Sequence, residues 1–291
     1  MKKLIVGCGY LGRRVAAAWL EAGHEVFALT RSENNADELR THGIQPIIGD
    51  VTNCSTLKQL PDIETAFYAV GWDRTSEKSM DEVYVTGLKN VLQELEGKVN
   101  RLIYISSTSV YGQADDSWID ENSPTEPTTP SGKISLDAER VVWDFFPRLS
   151  SAENCGANVL RLAGIYGPGR LIGRAAALKS EKPLTTNADG WLNLIHVDDA
   201  VQAVSACETR GILSETYLVS DDRPIQRREF YEALAALVGA PPPQFQTVEN
   251  STRQQSKRCS NRKIHTDLEI RLSYPTITEG LPHAVRSSDE K

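Results

Sequence analysis

The stretch "LIVGCGYLG" constrains this chain more than any other. It sets Gly7, Gly9 and Gly12 in the spacing GxGxxG, directly after an apolar run that reads as a strand and directly before a segment of helical periodicity. In that setting Gly7 permits a tight turn, Gly9 lets a pyrophosphate approach the backbone, and Gly12 allows close packing, while the helix N-terminus favours an anion. Tyr10 and Leu11 complete the loop and are counted among the dinucleotide contacts; Cys8 reads as a small filler. Residues 13–22 predict an amphipathic helix with Val15, Trp19 and Ala22 on one face and Gly23 as its stop.

The same alternation then repeats. The short apolar runs "KLIVG", "EVFAL", "QPIIGD", "TAFYAV", "RLIYISS" and "ANVLRLAG" are each followed by a helical segment, the pattern of βαβ units in a parallel sheet. The expected fold class is α/β, a doubly wound parallel sheet of the Rossmann kind with a smaller C-terminal region. After Gly164 the periodicity loosens at "YGPGR", "KSEKP" and "APPPQF", so a dinucleotide-binding domain is expected over 1–165. A substrate-binding region follows over 166–291, with segments near 190–220 returning to the first domain. "REFYEALAALVG" reads as a helix, "ETYLVS" as a strand, and "RSSDEK" as a frayed end.

Composition excludes several classes. A formal charge of −7 gives no reason to expect nucleic-acid binding. The cluster Lys257, Arg258, Arg262, Lys263 reads as a solvated face. The five cysteines are scattered and never form a CxxC pair, so neither a disulfide framework nor a zinc site is indicated and a reducing, cytoplasmic setting fits. No apolar run approaches the roughly 20 residues that a membrane span needs.

The second strand ends "VFALTRS", with Arg31 where an acidic residue would otherwise hydrogen-bond a free ribose 2′-hydroxyl. A guanidinium there suits a 2′-phosphate, so NADP is preferred and NAD remains possible; Arg13 and Arg14 are the other candidates for that phosphate. Asp50, with Val51, closes the third strand, where its carboxylate can accept from an adenine amino group. Val70 and Gly71 end the fourth, where a small residue lets the backbone pass close to a dinucleotide.

Together the glycine loop, Arg31, "GDV", "VTGLKNVL", "RLIYISSTSVYG", "DENSPTEP", "NVLRLAGIYGPGR", "LNLIHVDDAV" and "YPTITEGL" resemble the extended short-chain dehydrogenase/reductases, the NAD(P)-dependent epimerase/dehydratase group. The resemblance implies a catalytic serine after the fifth strand, which Ser107 matches, with Thr108 beside it on the substrate side. It also implies a tyrosine and a lysine four residues apart on the next helix. Those are missing: "TPSGKISLDAE" puts Ser131 at the tyrosine place and Ser135 at the lysine place, and sliding Lys133 into the lysine slot leaves Thr129 opposite. The usual upstream asparagine falls on Tyr84, and the family's glycines are normally spaced GxxGxxG. These departures resemble the atypical branch of the superfamily.

Lys133 and Tyr84 are the candidates for the missing proton-transfer role, and Arg170 for holding an anionic substrate group. His196 should order its loop, with Asp198 and Asp199 capping a helix that begins near Ala200, so no metal site is expected there. The expected function is an NAD(P)-dependent oxidoreductase or nucleotide-sugar-type epimerase acting on a small carbonyl or hydroxyl compound. Helices after the fourth and fifth strands offer surfaces for a homodimer. The alternative is a non-catalytic NADP(H)-binding redox sensor. A dehydratase fits poorly, because Thr108 and Ser109, not a carboxylate, follow Ser107.

Overall fold

The computed structural model describes residues 1–149, 155–246 and 256–286; the end of "RSSDEK" lies outside them. Two compact units divide the chain. The first comprises Met1–Tyr111, Thr125–Arg161 and Ala203–Tyr217, the second Gly112–Pro124, Leu162–Gln202 and Leu218–Lys291.

The first unit is built on β1 (Lys2–Val6), β2 (Glu25–Thr30), β3 (Gln45–Ile48), β4 (Ile63–Tyr68) and β5 (Val99–Ser107). These pair in parallel in the order β3-β2-β1-β4-β5. Strands Gly156–Leu162 and Thr216–Val219 extend the sheet beyond β5, making seven strands in all. Leu4, Ile5 and Val6 of β1 are wholly buried. Burial on both faces explains why β1 is a continuous apolar run without alternation.

The crossover helix α1 (Tyr10–Glu21) buries Leu11, Val15, Ala16 and Trp19. It starts on the glycine loop itself, three residues before the expected start, and it ends before Ala22, which is exposed. Gly23 follows at φ +77°, a conformation that ends helices cheaply only with glycine. Helices α2 (Glu33–Thr41), α3 (Gly87–Glu94) and α4 (Pro130–Leu149) complete the layers needed here.

In the second unit, helices Ile172–Lys179, Arg227–Val238 and Ile277–Arg286 share a core with Tyr166, Leu194 and Phe230. The helix after His196 begins at Val197, so Asp198 and Asp199 lie inside its first turn and do not precede it. Asp199 is fully buried and accepts the Ser273 and Tyr274 backbone N–H groups at 2.7 and 2.9 Å. Part of the basic cluster departs from a solvated face, although Arg262 is exposed. Lys257 is 4% exposed, and burial pushes its ammonium down to about 8. Arg258 stacks over Trp118 and Trp191 at 5.1 and 5.3 Å. Aromatic surface from distant parts of the sequence covers charges that looked free in the linear pattern.

Candidate functional site

The order of the sheet reverses between β1 and β4, and a groove of ≈ 350 Å³ opens at the ends of these strands. Gly7, Gly9, Arg31, Asp50, Val51, Val70 and Gly71 all line it. Gly7 has φ +101°, and a Cβ there would lie 2.4 Å from the Ala69 carbonyl, so the turn presses against the end of β4. A Cβ on Gly9 would meet nothing within 4 Å. An open backbone at the N-terminus of α1 fits a pyrophosphate, which needs close approach and unsatisfied N–H groups.

The other loop residues serve packing. A Cβ on Gly12 would sit 2.3 Å from the Gly7 carbonyl oxygen, and Leu11 is buried in the core. Neither lines the groove, and nor does Tyr10, over whose ring the Arg14 guanidinium stacks at 4.1 Å. Arg14 also donates to the Tyr10 carbonyl, and Arg13 is held by Glu38 through two hydrogen bonds of 2.5 and 2.8 Å. Arg31 is exposed at the groove's edge. Across from it, Asp73 is held below the usual carboxylate range, first by the Thr75 hydroxyl and N–H and then by the Arg31 charge. Asp50 uses Oδ1 to accept from the Thr52 N–H and hydroxyl at 2.8 and 2.9 Å, fixing the turn after β3. Burial pushes the Cys8 thiol up to about 11, which keeps it protonated and inert.

Sequence reasoning missed Asn35, Asp73, Ser76 and Lys78, which line the same groove. Asn35 carried a signal: its N–H is capped by Ser32 at 3.3 Å, the start of α2. Asp73, Ser76 and Lys78 belong to a loop after β4 that has no periodic pattern to read.

A second, smaller cavity of ≈ 150 Å³ adjoins Ala69 and Val70, which also line the groove. Ser107, Ser106, Ser135, Tyr68, Tyr84 and Tyr104 surround it. Ser107 ends β5, and its Oγ accepts the Ser109 N–H at 3.1 Å, starting the short turn Thr108–Val110. Tyr84 sits in a π turn, Glu82–Thr86, that runs into α3, and its hydroxyl accepts the Trp72 N–H at 3.2 Å. Such turns re-aim a side chain relative to a regular helix, and apolar periodicity cannot show them.

α4 approaches this place because a Cβ on Gly132 would sit 2.4 Å from the Ser109 carbonyl oxygen. Ser135 is 6% exposed and donates back to the Ser131 carbonyl at 3.0 Å. Ser131 and Lys133 are exposed on the same helix and do not line the cavity. Thr108 is half-buried beside Ser107, while Arg170 is exposed in the second unit.

Behind the cavity lies a buried charge pair. Glu139 accepts the Ser106 hydroxyl and two N–H groups of Arg161, from Nε at 3.0 Å and from Nη2 at 2.7 Å. Burial alone would lower the Arg161 guanidinium, but its bonds to Glu139 outweigh that and hold it above its ordinary value. The Tyr111 hydroxyl takes a further Arg161 N–H at 2.8 Å, so "VYG" anchors the turn after Ser107.

In the second unit, ligating atoms of His196, Asp198 and His283 lie within 4.8 Å of one another. Both His196 nitrogens are engaged: Nδ1 accepts the Asp198 N–H at 3.2 Å and Nε2 faces His283 Nδ1 at 3.1 Å. Tyr274 stacks on the His283 ring and lies tilted against that of His196. No helix of the described residues is long and apolar enough to cross a membrane.

Comparison with known proteins places this geometry. The chain is 28% identical to protein YeeZ of Escherichia coli K12, over 94% of this chain and 97% of that one. It is 24% identical to a 4-hydroxy-2-methyl-3-oxo-4-farnesyl-3,4-dihydroquinoline-1-oxide ketoreductase of Stigmatella aurantiaca, over 80% of this chain and 72% of that protein. The fold matches the dTDP-glucose 4,6-dehydratase DesIV of Streptomyces venezuelae, solved with NAD bound, at a TM-score of 0.85 and 21% identity over 100% of this chain and 98% of that one. Residues 4–219 match the NAD dependent epimerase/dehydratase family, and the chain belongs to that family.

Proposed function

We propose that the chain is an NADP(H)-preferring oxidoreductase of the atypical short-chain dehydrogenase/reductase group, acting on a small carbonyl compound without the Tyr-x-x-x-Lys pair. One observation carries this: the cavity holding Ser107 shares Ala69 and Val70 with the groove holding Gly7, Gly9 and Arg31. A ketone-reducing relative supports reduction over epimerisation. When bound, the dinucleotide supplies the hydride. Gly7 and Gly9 shape the turn that receives the pyrophosphate, and Arg31 pairs with the 2′-phosphate. Ser107 donates a hydrogen bond to the substrate oxygen and polarises it. Tyr84 is the better candidate for delivering the proton, because its phenol lines the cavity with Ser107 and Lys133 does not.

Losing a tuned acid/base pair typically removes a factor of ~10²–10⁴ in rate, so turnover is expected to be slow. The redox-sensor reading keeps the same cofactor contacts and differs only in needing no turnover. Titration with NADPH and NADH, followed by a carbonyl screen, tests both. NADPH is expected to bind more tightly, and Arg31→Ala to weaken NADPH about tenfold or more while leaving NADH nearly unchanged. Ser107→Ala should remove turnover without changing either affinity. Tight binding with no turnover on any carbonyl favours the sensor, and no binding sinks both.

A further inference from the structure

Six of the nine residues lining the small cavity (Tyr68, Tyr84, Tyr104, Ser106, Ser107 and Ser135) carry uncharged hydroxyl groups, and the other three, Ala69, Val70 and Ile105, are apolar, so no charged side chain lines it. It shares Ala69 and Val70 with the dinucleotide groove, so a nicotinamide ring arriving from that groove would meet the cavity's hydroxyls beside the substrate. Burial raises the Tyr68 and Tyr104 phenols well above their ordinary range, so both stay neutral at any working pH. The ion pair behind the cavity is internally balanced, because the Arg161 fork holds both Glu139 oxygens. Lys133, the cation nearest in sequence, is exposed and outside the lining.

Nicotinamide carries a positive charge when oxidised and none when reduced. Phenol faces present the negative side of their quadrupole, and serine and tyrosine oxygens offer lone pairs; both attract a cationic ring and give a neutral one much less. A cation at position 135 would cancel that preference, since like charges at short range in a partly desolvated site repel strongly.

We propose that this cavity binds the oxidised, positively charged nicotinamide more tightly than the reduced form, which biases the site towards giving up hydride. The inference rests on the proposed dinucleotide function and adds the bias of the hydride step between the bound partners. A site poised this way acts as a reductase that ends its cycle on oxidised cofactor. Epimerisation, which must first draw hydride from its substrate, works against the bias.

Equilibrium titration of the full chain with NADP⁺ and NADPH tests it without any substrate. Wild type should bind NADP⁺ about tenfold more tightly, the scale of one desolvated cation–π contact. Ser135→Lys should weaken NADP⁺ by about tenfold or more and leave NADPH nearly unchanged, whereas the uncharged Ser135→Met should keep the wild-type ratio. Wild type binding NADPH as tightly as NADP⁺, or more tightly, overturns the proposal whatever the variants do. So does a Ser135→Lys protein that loses both forms equally while Ser135→Met retains them. Failure of both dinucleotides to bind wild type is a different result, because it removes the proposed function along with the inference.

Discussion

Gly7→Val is expected to abolish measurable dinucleotide binding and to lower unfolding stability by about 3 kcal/mol. At φ +101° a β-branched residue is strained before any contact is considered. Its Cβ would then stand 2.4 Å from the Ala69 carbonyl carbon and oxygen and 2.6 Å from the Val70 nitrogen. These are backbone atoms at the end of a central strand, so relief requires β1 and β4 to part where both are buried. Gly9→Ala makes the matching control. Its Cβ has no neighbour within 4 Å, so the stability cost should be confined to replacing glycine at the N-cap of α1, about 1 kcal/mol, while binding should weaken if a pyrophosphate lies against that backbone. Denaturant unfolding and dinucleotide titration on both variants separate the two effects. Normal binding by Gly9→Ala would show that no phosphate passes over that position.

The second large effect is expected at the buried ion pair. Arg161→Leu removes the fork from Glu139, which is 1% exposed, and should cost about 3–5 kcal/mol by leaving a carboxylate buried without its partner. Arg161→Leu combined with Glu139→Gln should regain part of the loss, because no charge is then left buried without a partner. A double variant as unstable as Arg161→Leu alone would show that Glu139 finds another partner or reaches water.

Much of the groove's lining was legible because its determinants are local. Gly7 and Gly9 announce themselves by spacing between a strand and a helix, and Arg31, Asp50 and Gly71 by ending strands whose apolar runs are plain. Family resemblance added Ser107 and made the loss at Ser131 and Ser135 visible. What stayed hidden depends on contacts far apart in sequence or on irregular backbone. Lys78 and Asp73 enter the groove from an aperiodic loop, and Tyr84 is presented by a π turn. Leu11 fell inside a binding motif, yet it packs into the core. Lys257 sat among surface-like charges and is buried. In each case tertiary packing overrode a local pattern.

The two units are interleaved along the chain, which crosses from one to the other after Tyr111, Pro124, Arg161, Gln202 and Tyr217. A ribosome must therefore deliver more than two-thirds of the polypeptide before the sheet begun at Lys2 can receive its last strand, Thr216–Val219. Until then the growing sheet has an open edge, the condition under which chaperones matter most. The same interleaving limits how such a protein can be rebuilt in evolution, because exchanging the second unit as a cassette would need five matched joints.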